Sequence, residues 1–267
     1  MLGRWTCAFA VLLLGVGVAV PAAAQDMMRH LDLTSPAMTR SDMTRAQVEA
    51  VANAATPGHP ANFDGKSLNG LDLSGLDLSG ANFHAALLNK TKFVGAKLDH
   101  AVFDQAWMLH ADLSRADLRH ASLFAAQMQH AKLDGADLSH ARIVADLTDA
   151  SLKGAKLVGA NLAADMKNQS MGLMHAVLNS ANLDGANFTD ADLSRAELQF
   201  SSLNKTDLSG ASLVGANLSG AELIDANVAH ADFDKTDFAS ARLVKPKGLA
   251  SARNFDKAIN RDRMFRQ

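Results

Sequence analysis

The chain has 267 residues, with 26 Lys and Arg against 28 Asp and Glu and a formal net charge of −2, a balance that excludes a surface dominated by one sign of charge. Apolar residues make up 48% but aromatic ones only 5%, so any core is built from small and aliphatic side chains. Cys7 is the single cysteine and tyrosine is absent; because Cys7 falls in a segment read below as removed, disulfide, thiolate-nucleophile and cysteine-metal chemistry are excluded from the remainder.

Arg4 precedes an apolar run from Ala8 to Val20, and Pro21-Ala22-Ala23-Ala24 before Gln25 carries the small-residue pattern of a signal-peptidase site. Residues 1–24 are therefore read as a cleaved secretory signal peptide, with the periplasm or the exterior as destination. The run is short for a membrane span, which sets aside an uncleaved anchor and stable membrane insertion. In the N-terminal segment 25–62, Ser41 to Ala52 reads as a short amphipathic helix with Ser41 or Asp42 as N-cap, followed by a Pro and Gly linker from Pro57 to Pro60.

From 63 to 245 a small residue, most often Ala, and then a large apolar residue recur every five positions, as in Ala111-Asp112-Leu113-Ser114-Arg115 and Ala116-Asp117-Leu118-Arg119-His120. Neither a 3.6-residue helix nor a 2-residue strand has this period, so each unit must turn a corner, and stacked corners build a solenoid. Taking the large residue as the centre, units run unbroken from Leu68 to Ile143, shift frame by one at Leu147, Leu152, Leu157 and Leu162, and recover the first frame at Leu173 and Leu178. An irregular loop is expected near 163–172. The centres give about 35 units, roughly nine coils and ~40 Å of rod at strand spacing. From Arg242 to Gln267 stand eight basic and two acidic residues, and 246–267 is read as a basic C-terminal cap or tail with a closing turn and helix.

The A-(D/N)-L-x-x motif resembles the pentapeptide-repeat family over about two thirds of the chain. The resemblance implies an all-β fold: a right-handed quadrilateral parallel β-helix, four pentapeptides per coil, here with short helical caps. It also raises a known activity, the DNA mimicry of quinolone-resistance members, which needs a strongly acidic face and a cytoplasmic address. Without Arg4 this chain has 25 basic and 28 acidic residues, and it is read as exported, so nucleic-acid mimicry is set aside. An end-to-end homodimer, also known in the family, stays possible, but the tail after Leu243 is expected to cover the coil it would use.

The most unusual outward feature is histidine. His100, His110, His120, His130 and His140 all stand two residues after a centre, in every second unit. With twenty residues per coil, His100, His120 and His140 stack in one column and His110 and His130 in another, with backbones about 5 Å apart. Allowing for the frame shift, Asp149 follows His130 and Gly159 follows His140. Such columns suit Zn, Ni or Cu, with Asp149 completing a two-His, one-carboxylate set, or a pH-responsive stripe. A solvated position copied by duplication explains them without any ligand and is the favoured reading. Met27, Met28 and His30, and Met166, Met171, Met174 and His175 near the loop, form weaker Cu(I)-like groups, whereas Met108 and Met128 are centres and hence core.

No Ser, His and Asp stand where a flat solenoid wall closes a cleft, so the chain is read as a non-enzyme requiring no cofactor. Outward apolar residues Trp107 and Leu109, Phe124 with Val144, and Ile224 with Val244 offer contacts to a partner. The sequence thus favours an exported, non-enzymatic protein giving a rigid protein-binding or scaffold surface in the cell envelope. The alternative is periplasmic divalent-metal or copper binding through the histidine columns. A scaffold predicts one continuous apolar patch; a metal role predicts His columns facing a common direction with Asp149 in reach.

Overall fold

The computed structural model describes residues 32–56, 58–165 and 174–266. The chain divides into two compact units, Met1–Leu33 and Thr34–Gln267; the signal segment, Met27, Met28 and His30 lie outside the described residues, as do Met166, Met171 and Leu173.

In the larger unit each five-residue segment pairs in parallel with the segment twenty residues on. Asn62 pairs with Asn82, Ser67 with Leu87, Asp72 with Lys92 and Asp77 with Lys97, and the same four rows continue up the chain. Four segments therefore complete one coil. Extended strand is scarce: most rows are single-residue bridges, and among the described residues longer strands occur only as β1 (Glu222–Ile224), β2 (Arg242–Val244) and β3 (Phe265–Arg266), paired in parallel in that order. A side only five residues long spends two of them in a turn, which leaves one position to bridge.

The centres face inward. Leu, Phe and Met centres from Phe63 to Phe238 are 0–1% exposed, and the Ala two places before each is as deeply buried wherever the array is regular. Phe63, Phe83 and Phe103 stack one per coil, with ring centroids 5.0 and 4.9 Å apart. Where Thr or Ser replaces the inward Ala, its hydroxyl donates to a backbone carbonyl, as from Thr206 to Leu203 O at 2.7 Å and from Thr236 to Leu213 O at 2.7 Å.

Backbone accounting explains the Asp and Asn of the motif. In the unit around Leu113, the amides of Asp112, Leu113, Arg115 and Ala116 all donate to carbonyls, but Ser114 N has no backbone acceptor. Asp112 Oδ1 takes it at 3.0 Å, and Asp137, Asp146, Asn187, Asp192 and Asn217 do the same for the second residue after themselves. Elsewhere a carboxylate or amide one coil earlier serves, as Asp104 for Phe124 N and Asn89 for Leu109 N. The residue two after the centre adopts left-handed backbone, φ near +60° in Gly95, His100 or Arg115 alike.

The frame shift is the loss of one such corner. Between Ile143 and Leu147 no residue has positive φ, Val144 and Ala145 are each 3% exposed, and the pairing offset drops from 20 to 19 at Gln127 with Asp146. The loop is longer than the repeat reading of Leu173 allows. Pairing resumes at Val177 opposite Asp146, an offset of 31, so eleven residues are inserted on one side of one coil. Asp165 N donating to Met174 O at 2.8 Å closes its base, and Arg142 Nη2 holds Asp165 at 3.0 Å.

Both ends differ from the sequence expectation in form. The helix α2 (Arg45–Asn53), after a single turn α1 (Pro36–Thr39), is capped by Thr44 through a capping box with Gln47. Ser41 and Asp42 are engaged elsewhere: Ser41 bridges Leu68, and Asp42 exchanges hydrogen bonds with Ser67. Val48 of α2 is fully buried in the core. At the other end, residues 247–265 wind a wider coil in place of a closing helix. Its pairing offsets grow from 20 (Asn227 with Lys247) to 21 (Asp232 with Arg253), 22 (Asp237 with Ile259) and 23 (Arg242 with Phe265). Each side has gained one residue, accommodated by a 3₁₀ turn after a left-handed Gly248, Asn254 or Asn260. Phe255 enters between Phe233 and Phe238, edge-on at 5.7 and 5.8 Å, and closes the core.

Asp112→Ala leaves Ser114 N without its acceptor and is expected to lower unfolding stability by about 1 kcal/mol. Asp112→Asn keeps the oxygen and is expected to change it by a few tenths at most; urea denaturation of the three proteins measures both.

Candidate functional site

Outward side chains on this scaffold lean toward the following coil. A Cβ placed on Gly159 would meet the His140 ring at 2.7 Å, one on Gly210 would meet Asp190, and one on Gly220 would meet the Phe200 ring at 2.6 Å. The residues one after the centre reach the same way: Asp64 Oδ1 contacts His84 Nδ1, one coil on, at 2.8 Å. This common lean turns equivalent corner positions into ladders.

The five histidines form two ladders. His100 and His120 stack at 4.6 Å between ring centroids with planes 9° apart, and His120 and His140 at 5.5 Å and 16°. His110 and His130 stack at 4.9 Å and 8°. All five hold left-handed backbone with φ of 56–60°, where His is enriched among non-glycine residues. The ladders stand on alternate corners, ten residues apart in each coil, so they do not face a common direction.

Asp149 does follow His130, but its Oδ2 is 3.9 Å from His130 Nδ1, and as the later member of the pair it leans onward rather than back. Lys90 stands one coil before His110. Burial first, then the neighbouring His130 and Lys90, holds His110 below the ordinary imidazole range.

The other ladder brings in a residue the sequence reading overlooked. Asp99 Oδ1 lies 3.1 Å from His120 Nδ1, and its Oδ2 lies 3.8 Å from His100 Nε2. One donor atom from each of Asp99, His100 and His120 falls within 4.8 Å of the others. The signal for Asp99 was present: it directly precedes His100 and stands one coil before Arg119 and His120, where the lean carries it to the second imidazole. Beside it, Arg119 donates to Asp117 from Nε at 2.7 Å and Nη2 at 2.6 Å, which lowers the Asp117 carboxyl.

The outward apolar residues do not make one patch. Leu109 is 7% and Val144 3% exposed, and Phe124 lies under the Arg142 guanidinium, 4.1 Å from its ring centroid. Ile224 and Val244 are half-buried partners in β1 and β2. These pairs sit on three different sides, because a five-residue period sends residues a few positions apart around a corner. Phe200, 70% exposed, is the prominent aromatic instead, in the same corner row as His130. Among the described residues no helix is long and apolar enough to cross a membrane.

A family model described as Pentapeptide repeats, in eight copies, matches residues 61–108, 110–141, 145–164, 173–210 and 201–239. No curated protein matches the chain. Among solved structures, the chain is similar to HetL, a pentapeptide repeat protein involved in heterocyst differentiation regulation from the cyanobacterium Nostoc sp. strain PCC 7120, at 28% identity over 79% of this chain and 94% of that one, TM-score 0.42. It is similar also to QnrB1, a plasmid-mediated fluoroquinolone resistance protein, at 15% identity over 75% and 91%, TM-score 0.39. A pentapeptide repeat protein from the Arabidopsis thaliana thylakoid lumen shares 31% identity over 38% of this chain and 65% of its own, TM-score 0.25.

Because His110 is depressed in the folded chain, the unfolded chain takes up a proton first as pH falls through about 6.5, so stability is lost on acidification and rises with pH across that window. The lowered Asp117 acts in the same sense only near pH 4 and below. Between about pH 7.5 and 5.5 the melting temperature is expected to fall, and to fall less in His110→Asn, as followed by thermal denaturation.

Proposed function

The chain belongs to the pentapeptide-repeat family, and from that premise we propose that it is an exported, non-enzymatic protein whose right-handed, square-sided β-helix gives a rigid protein-binding or scaffold surface in the cell envelope. The carrying observation is not an apolar patch, which the walls lack, but the continuity of the four rows, which persist through the frame shift and the insertion. Parallel pairing runs from Asn62 with Asn82 to Asp237 with Ile259, so outward side chains are fixed in straight ladders about 4.8 Å apart. A partner meeting such a wall orders little of it on binding, and low ordering cost is what a preformed surface contributes to affinity. Export rests on Arg4, the apolar run Ala8 to Val20 and the Ala22-Ala23-Ala24 site. Dimerisation through the C-terminal end is disfavoured by the wider last coil that occupies it.

A second reading, divalent-metal binding through the histidine ladders, is favoured by the convergence of Asp99, His100 and His120 and is developed below.

Two measurements test the scaffold reading. A photocrosslinking amino acid is placed in living cells at Lys92, Lys97, Val102 or Trp107, one bridging position on each side of a single coil. A discrete adduct to the same protein from one or two sides is expected; no adduct, or an equal smear from all four, overturns it. Cell fractionation with N-terminal sequencing is expected to find the protein outside the inner membrane and beginning at Gln25, whereas a cytoplasmic chain retaining Met1 removes the envelope assignment.

A further inference from the structure

We propose that Asp99, His100 and His120 form a binding site for one divalent transition-metal ion, Zn(II) or Cu(II), straddling two successive coils at one corner of the rod.

Donor chemistry comes first. Two imidazoles and one carboxylate suit Zn(II) and Cu(II), which accept nitrogen and oxygen together, better than Ca(II) or Mg(II), which take oxygen. Geometry comes second. Ligands about 2 Å from a four-coordinate ion lie about 3.3 Å from one another. Asp99 turns a different oxygen to each ring, Oδ1 to His120 Nδ1 at 3.1 Å and Oδ2 to His100 Nε2 at 3.8 Å, so the carboxylate lies between the two imidazoles and the donors close by small rotations of the side chains. The largest separation in the set is within 4.8 Å. The parallel rings must tilt toward each other so that both nitrogen lone pairs meet. Solvent exposure leaves room for this: the side chains of His100 and His120, stacked on each other, are 66% and 44% exposed.

Position and charge complete the case. Among the described residues Asp99 is the one carboxylate in reach of both rings, and it supplies the negative charge that a two-imidazole site lacks. Its cationic neighbour Arg119 hydrogen-bonds Asp117 rather than Asp99, so no guanidinium bond must be broken before the ion enters, although the Arg119 charge still acts on Asp99. The other ladder is less suited: His130 and Asp149 stand 3.9 Å apart, and Lys90 lies beside His110, where a dication would meet a like charge. His140 continues the first ladder at 5.5 Å from His120, but Gly159 follows it, so the donor set ends there. Three protein ligands on an open corner leave a fourth position to water, so the ion exchanges with solvent. Such a site holds metal reversibly and joins two coils while occupied.

Isothermal titration of the full chain with Zn(II) is expected to show micromolar or tighter binding. His100→Asn and His120→Asn, chosen because Asn tolerates left-handed backbone, are each expected to weaken it tenfold or more, and Asp99→Asn by a similar factor. His140→Asn and the pair His110→Asn with His130→Asn are expected to leave it unchanged. Equal binding in all variants, or an equal loss in the His110 and His130 pair, overturns the site. Far-UV circular dichroism checks that each variant is folded. Cu(II) electron paramagnetic resonance on the unaltered chain decides independently: hyperfine structure from two imidazole nitrogens is expected, and one nitrogen or none overturns the proposal. Failure here leaves the scaffold reading untouched, since the photocrosslinking experiment does not depend on metal.

Discussion

Everything in this fold follows from one backbone constraint, that hydrogen bonds run between coils and each side must turn after five residues. In the regular unit four of five amides find carbonyls in neighbouring coils or across the turn, and the fifth does not. A side-chain oxygen therefore has to accept, either from the residue before the centre or from the coil before, which favours Asp and Asn as the repeated outward residues, and an orphan amide is the cost of omitting them. The corner must be left-handed, which favours Gly but admits Asn, Asp and His. The motif is thus a list of backbone obligations. Its departures are intelligible in the same terms: the frame shift deletes a left-handed residue, and the last coil adds one residue per side and spends it on a 3₁₀ turn.

The forward lean of outward side chains turns this regular backbone into chemistry. It places Asp64 on His84, Asp99 on His120 and the His140 ring over Gly159. It also explains why a carboxylate that precedes a histidine by one coil approaches its nitrogen more closely than one that follows. Asp99 and Asp149 are both neighbours of stacked imidazoles by sequence arithmetic, yet their contacts of 3.1 and 3.9 Å differ because the ladder has a direction.

The period, the inward centres and the histidine columns were all legible in the sequence, because each depends on spacing alone. What spacing does not carry was misjudged. The helix starts after Thr44 rather than Ser41 or Asp42, since those two are drawn into pairing with Leu68 and Ser67, contacts between residues about 25 positions apart. Leu109 and Val144 are covered although their positions are outward, and Phe124 lies beneath Arg142, a residue of the next coil. The wider terminal coil was hidden because its six-residue steps, Lys247, Arg253, Ile259 and Phe265, resemble a break in the pattern more than a variant of it. Asp99 escaped notice because only the position two after the centre was followed from coil to coil.

Row spacing also restricts which residues can repeat. Two like charges about 5 Å apart repel by about 1 kcal/mol in water and by more beside a protein wall, so a ladder of permanent ions of one sign is unfavourable. The bridging rows respect this: Asp72, Lys92, Asp112 and Lys132 alternate in sign, Lys97 pairs with Asp77 at 3.1 Å, and Arg242 with Glu222 at 2.8 Å. Where Asp117 and Asp137 do fall together, Arg119 neutralises the first. Imidazole escapes the restriction near neutral pH because it carries no permanent charge there. A column of three histidines is thus a repeated strong donor that this architecture can stack without alternation. A dication held by Asp99, His100 and His120 would draw the lone pairs of two successive rungs together, tying one coil to the next through side chains as the parallel bridges tie them through backbone.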